Sequence, residues 1–567
     1  MKITLKEREI KKMKKLFSFL VLFLISYNML YSQVTPPTLS AGEYWTNCWS
    51  LSYDYQTNGS VRYIVQDPSN PRNLCAIFMG TRDSTSPAGT NRYVWYSYSA
   101  NGGVTWDAGA QVEATFASGF PCLTVRDGNP LVAFHEAASP TSAKVYEDLV
   151  WGAGVFSTVG TVPNSPNTMV WPHLCVTTNN NIVVVAAPNP GFTAQVTYYS
   201  GSTWSAETEL TNTGGPSGNF STEAGPGSSA FVFGIDYNSA ATAGNKLWTT
   251  NNNGVTFTLQ TGANAPPDFI PSGSDSLYAF IDGGRDGVYK GSEIHLVYTV
   301  YDFNSPTVIV GNTIYFKKCK IVHWSPSTGI DTVAGRYNMP NLTDTITQQL
   351  VDPLCQPSVG VFGNLLYVTF TAYLRGNTQT VDNGDVVNAG EIFITYSADN
   401  GNTWSTPVNI TNTPNREEKH SSVVRNFTLA SGDSIGVHYI RDMKAGGWVN
   451  NAAWGPAPVY GIYKKLGGSV IGIKQESEVV NRYELFQNYP NPFNPTTTIT
   501  YYMQKNGNAT LKVYNVLGDL VATLVDGYQT KGAKEISFDG TRLASGIYFY
   551  TISAGDFTQT KKMMLVK

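Results

Sequence analysis

The chain has 567 residues, a length that predicts two or more domains. Charged residues make up only 14% of it, aromatic residues make up 13%, and glycine occurs 53 times. This composition supports a large buried core, which excludes a wholly disordered chain. The formal charge of −3 carries no basic excess, which excludes general nucleic-acid binding. Abundant Thr, Val, Tyr, Asn and Gly favour strands and tight turns over long helices.

The first residues have the pattern of a secretory signal peptide. Lys14 and Lys15 precede the apolar run Leu16–Ile25. That run is too short to span a bilayer, which requires about 20 residues. We therefore interpret 1–32 as a signal peptide rather than a buried apolar helix, with Met13 as an alternative start. No later segment is long and apolar enough to predict a membrane span.

The six cysteines have no spacing that is typical of a zinc site. An even number of cysteines in an exported chain allows disulfides. Three of them, Cys75, Cys122 and Cys175, lie inside apolar runs, where cysteine acts as a small hydrophobic residue. We favour free, buried thiols over disulfides.

Two acidic segments are candidate calcium sites. Residues 282–287 and 382–385 combine aspartates with glycines, and Glu293 and Glu391 follow them. Neither segment has the spacing of an EF-hand, so polar hairpin tips are the favoured interpretation. We predict no cofactor, with calcium as the alternative.

A turn motif recurs along residues 33–465. The residues that define it are Ser397, Asp399, Gly401 and Trp404 in the best copy and Ser99, Asn101, Gly103 and Trp106 in an earlier one. Weaker copies occur near residues 151, 199, 250 and 324. A short Asp or Asn side chain bonds backbone N–H groups ahead of it, and Gly supplies the positive φ of a turn. The motif therefore predicts hairpin turns.

The six turns lie about 50 to 75 residues apart and are separated by short apolar strands, as in propeller blades. We predict an all-β protein with a six-bladed β-propeller over 33–465. A right-handed β-helix is the alternative, but its repeats are much shorter. The pattern at 397–404 resembles the Asp-box, or bacterial neuraminidase repeat, of sialidase-like propellers. This box occurs in enzymes and in binding propellers, so the resemblance implies a fold and not an activity.

The C-terminal part has a different pattern. Residues 466–482 show no clear period and are predicted to be a linker. Residues 483–567 contain short strands separated by turns, which predicts a small immunoglobulin-like β-sandwich. Three prolines at 490–495 exclude a helix at its entry.

The motifs of 483–567 closely resemble the type A C-terminal sorting domain of proteins exported by the type IX secretion system. The residues that carry the sorting motif are Asn488, Pro490, Asn491, Pro492, Gly518 and Gly546. The resemblance implies the type IX machinery as a partner, passage through the outer membrane, and attachment to the cell surface or release. An ordinary binding sandwich is the alternative.

Several residues lie where a sialidase-like enzyme would carry its site. That family uses a Tyr nucleophile assisted by a Glu, an Asp acid/base and three Arg that pair with the substrate carboxylate. By position the candidates are Arg62, Arg82, Asp83, Glu136, Tyr439 and Arg441. The family's Arg-Ile-Pro motif is absent, since Tyr follows Arg62, and Tyr439 has no assignable Glu partner. We therefore assign no catalytic residue and expect structural roles for these six.

The favoured function is non-catalytic binding of a glycan or a surface protein, outside the cell or at its surface. Loops at a propeller mouth carry aromatic rings that stack on sugar faces. Tyr301, Tyr373 and Tyr439 follow candidate inner strands and are expected near that mouth. The alternative is an exo-sialidase or another glycoside hydrolase that acts on extracellular glycans.

Overall fold

A computed structural model describes most of the chain beyond residue 35. It covers residues 36–52, 56, 60–82, 91–137, 141–163, 168–189, 193–210, 219–236, 244–272, 275–279, 284–302, 309–310, 313–315, 319–346, 353–427, 435–447, 451–466, 483–488, 491–530 and 532–567. These residues form strands and two short 3₁₀ turns, Gly262–Asn264 and Ala452–Trp454, with no α-helix among them. The prediction of an all-β protein is confirmed. The predicted signal peptide and nearly all of the predicted linker lie outside the described residues.

Four successive four-stranded antiparallel sheets follow an initial strand. After β1 (Glu43–Ser50), sheet 1 contains β2 (Ile64–Gln66), β3 (Leu74–Thr81), β4 (Arg92–Ser99) and β5 (Ala110–Gln111); sheet 2 contains β6 (Ser118–Arg126), β7 (Asn129–Glu136), β8 (Ser142–Asp148) and β9 (Phe156–Thr161); sheet 3 contains β10 (Thr168–Val176), β11 (Ile182–Asn189), β12 (Gln195–Tyr199) and β13 (Thr208–Glu209); sheet 4 contains β14 (Ser221–Ala224), β15 (Ala230–Asp236), β16 (Gly244–Thr250) and β17 (Thr258–Leu259).

Three further sheets complete this series. The strands are β18 (Phe269–Ser272), β19 (Asp275–Ala279), β20 (Arg285–Lys290), β21 (Glu293–Asp302), β22 (Ile309–Val310), β23 (Thr313–Tyr315), β24 (Cys319–Ser325), β25 (Gly329–Ala334), β26 (Thr345–Ile346), β27 (Leu354–Phe362), β28 (Leu365–Thr380), β29 (Val386–Ser397), β30 (Val408–Asn409), β31 (Glu417–Val423), β32 (Ile435–Asp442) and β33 (Val459–Leu466). Sheet 5 is β20-β21-β24-β25, with β18 and β19 added beside β21. Sheet 6 is β27 to β30, sheet 7 is β31-β32-β33-β1, and β22, β23 and β26 form a separate small sheet.

The first strands of the seven sheets are neighbours of one another. They are β2, β6, β10, β14, β20, β27 and β31; each contacts the next, and β31 contacts β2, so the contacts form a closed cycle. Hydrogen bonds support this order: Val423 N donates to Ser358 Oγ (3.2 Å), and Tyr63 N donates to Ser422 Oγ (2.9 Å). In each sheet we call the end where the first strand begins the mouth end. The opposite end is the turn end, which holds the connection between strands 3 and 4.

The number of repeated sheets is seven, so the prediction of six units is corrected. The six turns recognised in the sequence connect strands 3 and 4 of sheets 1 to 6. Sheet 7 has no such turn because its fourth strand is β1 from the start of the chain. Glu43 pairs with Lys464 and Ser50 pairs with Val459 in that ladder. Counting turns therefore misses the sheet that the N-terminal strand completes.

The C-terminal residues form two sheets around one core. The strands are β34 (Glu484–Leu485), β35 (Thr496–Met503), β36 (Gly507–Tyr514), β37 (Leu520–Gln529), β38 (Gly532–Asp539), β39 (Gly546–Ala554) and β40 (Phe557–Leu565). One sheet is β34-β35-β38, and the other is β37-β36-β39-β40. Alternate residues of both sheets, among them Ile499, Tyr501, Leu511 and Tyr550, are buried together. This is the alternation expected of a small sandwich.

Candidate functional site

A bulge with an unusual backbone recurs at the mouth end of four first strands. Phe120, Trp171, Gln356 and His420 have φ between 54° and 56°, and the ladder register shifts at each of them. Positive φ is uncommon for non-glycine residues, and bulges re-aim side chains. In the first three cases a proline follows. This repeated proline is a local signal of the bulges, whereas the turn motif marks only the opposite end of each sheet.

Two of these bulge residues form an aromatic platform together with a histidine. Phe120 stacks on His135 with ring centroids 5.1 Å apart and meets Trp171 edge-on at 6.1 Å. The Arg92 guanidinium lies 5.2 Å from the Phe120 ring centroid. Phe120 and Trp171 are half-buried, whereas His135 is buried. The aromatic platform (Phe120, His135 and Trp171) therefore has two members that are partly exposed to solvent.

The His135 ring in this platform is neutral. Burial, and then the nearby Arg92 charge, lower the pKa of His135 to about 3. Its Nδ1 lies 3.4 Å from the Trp171 backbone nitrogen, and its Nε2 lies 3.4 Å from the Arg92 guanidinium. A neutral ring held from both sides serves as a fixed stacking surface rather than as a proton carrier.

Arg62 belongs to a buried cluster of four charges. Arg62 and Arg425 both contact the Glu223 carboxylate, and Arg425 also contacts Asp286. The four side chains come from the first strands of sheets 1, 7, 4 and 5 or from residues next to them, so they lie where the first strands meet. Burial alone lowers the pKa of Arg425, but Asp286 and Glu223 outweigh it and raise that pKa. Two positive and two negative charges balance, so the cluster has no net charge to offer a substrate carboxylate.

Tyr439 and Arg441 share one buried carboxylate. Tyr439 donates to Glu43 Oε1 at 2.7 Å, and the Arg441 guanidinium donates to both Glu43 oxygens at 3.0 Å. Arg441 Nε also donates to Glu418 Oε1 at 2.7 Å, and Lys464 lies 3.4 Å from Glu43. Tyr439 and Arg441 both have an exposed fraction of 0%. These groups tie the strands of sheet 7 together and are closed to solvent.

Arg82 lies between two indole rings. Its guanidinium carbon is 3.4 Å from the Trp49 ring centroid and 3.9 Å from that of Trp95, and it donates to the Trp49 carbonyl. Asp83 lies outside the described residues. Arg62, Arg82 and Arg441 therefore contact three different sets of partners.

Glu136 is buried at the mouth end of β7. The Tyr146 hydroxyl donates to Glu136 Oε1 at 2.7 Å and lies 3.2 Å from Glu113 Oε2. Burial raises the pKa of Tyr146, and burial likewise raises the pKa of Tyr439. A phenolate nucleophile requires a lowered pKa and access to substrate. Neither tyrosine has that chemistry.

The turn residues form one hydrogen-bond scheme in two copies. Gly401 N donates to Ser397 Oγ (2.8 Å), Thr403 N donates to Asp399 Oδ1 (2.9 Å), and the Trp404 indole donates to the Gly401 carbonyl (3.1 Å). The same three bonds occur among Ser99, Asn101, Gly103, Thr105 and Trp106, at 2.9, 2.9 and 3.0 Å.

The turns also pack on the preceding sheet in the cycle. A Cβ at Gly401 would lie 2.1 Å from the His323 ring of sheet 5, and one at Gly103 would lie 2.0 Å from Tyr463 of sheet 7. The φ angles of 90° and 86° also require glycine at these positions. These turns join sheets at the turn end, away from the aromatic platform.

The sorting-motif residues organise the entry to the C-terminal sandwich. Asn488 is buried; its Nδ2 donates to Thr497 Oγ1 (2.9 Å), and its backbone N–H donates to Tyr550 Oη (2.7 Å). Asn491 Oδ1 accepts from Met564 N at 2.8 Å. Pro492 follows Asn491, and Pro490 lies outside the described residues. Gly518 and Gly546 have φ of 86° and 155°.

The calcium candidates have protein partners where they are described. Asp382 pairs with Lys444 at 2.7 Å, and Asp385 accepts from the Trp454 indole at 2.9 Å. Asp286 belongs to the four-charge cluster, while Asp282 lies outside the described residues. No group of three or more His, Cys, Asp or Glu that is suited to a metal occurs in the described part of the chain.

All six cysteines are buried free thiols.

The C-terminal residues match a known protein family. Residues 487–567 match the family described as a secretion system C-terminal sorting domain. The match covers β35 to β40, so this protein is secreted and carried to the cell surface. Within the described ranges, no helix is long and apolar enough to cross a membrane.

The solved structures that match this chain are only distantly similar to it. The BP39L lectin from Burkholderia pseudomallei is 12% identical, with 68% of this chain and 93% of that chain covered and a TM-score of 0.42. A protein of unknown function from Dyadobacter fermentans DSM 18053 is 10% identical, with 75% and 100% covered and a TM-score of 0.36. A neuraminidase-like protein from A/bat/Guatemala/164/2009 is 7% identical, with 62% and 89% covered and a TM-score of 0.33. No curated protein matches this sequence.

Proposed function

We propose that the seven sheets form a seven-bladed β-propeller with Asp-box turns, and that this propeller binds glycans without hydrolysing them. The type IX sorting tail would place this binding module outside the cell. The closed cycle of first-strand contacts and the shared hydrogen-bond scheme of the turns support the propeller. The sheet completed by the first and last strands is a further feature in its favour.

The observation that carries the binding proposal is the aromatic platform at the mouth end of sheets 2 and 3. Phe120 and Trp171 are partly exposed, and aromatic side chains of this kind stack on the apolar faces of sugar rings. Arg92 beside the platform supplies hydrogen-bond donors for hydroxyl groups. The platform is preorganised, because bulges and ring stacking fix its side chains before a ligand arrives.

We propose that the protein does not hydrolyse glycans, because the candidate catalytic residues are bonded to partners inside the protein. Arg62 is neutralised within the four-charge cluster, and Tyr439 with Arg441 is fully buried around Glu43. Side chains that are bonded to internal partners are not available to bind a substrate in its transition state. The alternative function is that of an exo-sialidase or another glycoside hydrolase, and the assays below distinguish it from binding alone.

The test is a glycan array probed with the chain from residue 33 onward. The variant Trp171→Ala is expected to lose binding at least tenfold, because it removes one of the two partly exposed rings of the aromatic platform. Trp204→Ala is the matched control, since Trp204 lies after β12 at the turn end of the same sheet and is half-buried like Trp171.

A fluorogenic sialoside assay tests hydrolysis in parallel. We expect no turnover by the native chain. Equal loss of glycan binding in Trp171→Ala and Trp204→Ala would contradict the platform. If the native chain hydrolyses the sialoside and the Arg62→Ala variant does not, the function is hydrolysis rather than binding alone.

A further inference from the structure

A groove of about 510 Å³ lies between sheet 4 and the turn that joins strands 3 and 4 of sheet 5. One wall is formed by the start of β16 and by residues 259–268, which run from the end of β17 to the start of β18. The other wall is formed by Trp324, Ser325 and Pro326. Ligand sites in proteins are concave and have volumes of about 300–1,000 Å³. The groove has the size of a small-ligand site, and it is separate from the aromatic platform.

The first wall is held in place by side chains of β16. Asn245 Nδ2 donates to the Pro267 carbonyl at 3.0 Å, and Lys246 Nζ lies 3.2 Å from Asp268 Oδ1. Gly244 allows this approach, because a Cβ there would lie 2.2 Å from Asp268 Oδ1. Residues 262–268 are thereby fixed against the sheet rather than free to collapse into the groove.

The second wall is fixed by one carboxylate of sheet 5. Ser325 Oγ and the Ser327 N–H both donate to Glu293 Oε1, at 2.7 and 3.0 Å. Trp324 beneath this turn is only 3% exposed and packs into the core between sheets 4 and 5. Because both walls are already fixed, little conformational entropy is lost when a ligand binds in the groove.

The chemistry of the lining favours an uncharged ligand. Lys246 and Asp268 are the charged residues that line the groove, and they pair with each other. Asn245 is 3% exposed, and its Oδ1 has no hydrogen-bond partner among the described residues. The Gln260 amide and the paired ammonium and carboxylate of Lys246 and Asp268 suit hydroxyl groups, which donate and accept. Gly262, Ala263 and the prolines supply small, apolar contact surface.

We propose that this groove is a second carbohydrate site, which takes a neutral oligosaccharide through hydroxyl contacts to Gln260 and the Lys246–Asp268 pair. The sugar's apolar edges lie against the proline rings. This site differs from the aromatic platform in position and in lining, so it does not depend on the function proposed above. Two sites on one displayed protein raise the avidity for a glycan surface.

The experiment fills the groove without disturbing its walls. The probes are uncharged oligosaccharides of glucose, galactose, mannose and xylose, with sialylated and sulfated oligosaccharides as a second panel. Ala263→Trp places an indole in the groove and is made in the Trp171→Ala background, so that binding at the platform does not contribute. Asn264→Trp is the matched control, because Asn264 is exposed on the same turn but does not line the groove.

If the groove is a carbohydrate site, the Trp171→Ala chain should bind at least one uncharged oligosaccharide. Ala263→Trp should then weaken that binding at least tenfold, while Asn264→Trp should change it less than twofold. Circular dichroism and the melting temperature check that both variants fold. Equal affinity in the two tryptophan variants, binding restricted to the charged panel, or no binding at millimolar concentration would overturn the proposal.

Discussion

At the residue scale, the charged groups inside this protein have partners that come from distant parts of the chain. Arg441 is fully buried between Glu43, which is 398 residues away, and Glu418. Breaking a buried ion pair costs more free energy than breaking an exposed one, because the remaining charge stays out of water. Arg441 therefore stabilises the junction between the first and last strands of the series.

The variant Arg441→Met should lower the free energy of unfolding by about 3–5 kcal/mol, since it removes the guanidinium that the buried Glu43 and Glu418 side chains share. Urea denaturation followed by tryptophan fluorescence measures the loss. Lys444→Ala is the control, because its partner Asp382 is 59% exposed, and such pairs contribute less than about 1 kcal/mol. A loss of similar size in both variants would contradict this role of Arg441.

Buried neutral histidines make stability depend on pH. Burial lowers the pKa values of His323 and His438 to about 3 and that of His295 to about 4, from 6.5. Between these values and 6.5 the unfolded chain binds protons that the folded chain does not bind. Stability is therefore fully present above about pH 6.5 and falls as the pH falls, by about 1.4 kcal/mol per pH unit for each histidine.

His438 offers the cleanest test, because neither of its ring nitrogens has a hydrogen-bond partner among the described residues. The variant His438→Phe should lose less stability than the native chain between pH 7 and about pH 4.5, since it removes one of the groups that the unfolded chain protonates. Melting temperatures at a series of pH values measure the two slopes. Parallel slopes would show that His438 does not contribute to the acid sensitivity.

At the scale of the elements, the turns are small units whose geometry follows from local sequence. Asp399 accepts from Ser397 Oγ (2.8 Å), from Thr403 N (2.9 Å) and from Thr403 Oγ1 (2.7 Å). In the earlier copy, Asn101 Oδ1 accepts from Ser99 Oγ and from Thr105 N, and its Nδ2 donates to Thr105 Oγ1. The oxygen that faces the turn backbone is thus the common requirement.

The variant Asp399→Ala should destabilise the protein by about 1–2 kcal/mol, because several donors of the turn lose their acceptor. Asp399→Asn should cost much less, since Asn101 already serves in the same place. Thermal unfolding of both variants gives the comparison. Equal destabilisation by Ala and Asn would mean that the charge of Asp399, and not its hydrogen bonds, holds the turn.

At the scale of the whole molecule, β1 completes sheet 7 from the other end of the chain. Thr46 Oγ1 donates to the Gly461 carbonyl at 3.0 Å, in addition to the strand pairing. Without β1, the outer edge of β33 would be an unpaired strand edge, which promotes association. Arg441 would also lose Glu43.

A chain that begins at residue 51 should therefore aggregate, or melt well below a chain that begins at residue 33. Size-exclusion chromatography and the melting temperature measure the two effects. A synthetic peptide of residues 40–52 added to the shorter chain should restore part of the loss. Equal melting temperatures for the two chains would show that β1 is dispensable.

Features that depend on neighbouring residues could be predicted from the sequence. These are the all-β class, the hairpin turns around Asp399 and Asn101, and the sorting motif around Asn488, because turn and motif chemistry is local. Features that depend on contacts between distant residues could be identified only in the folded structure. The seventh sheet has four strands because β1 pairs with β33. Arg62, Tyr439 and Arg441 have partners 161, 396 and 398 residues away. The aromatic platform likewise required separate bulges to meet in space. No local pattern encodes such contacts.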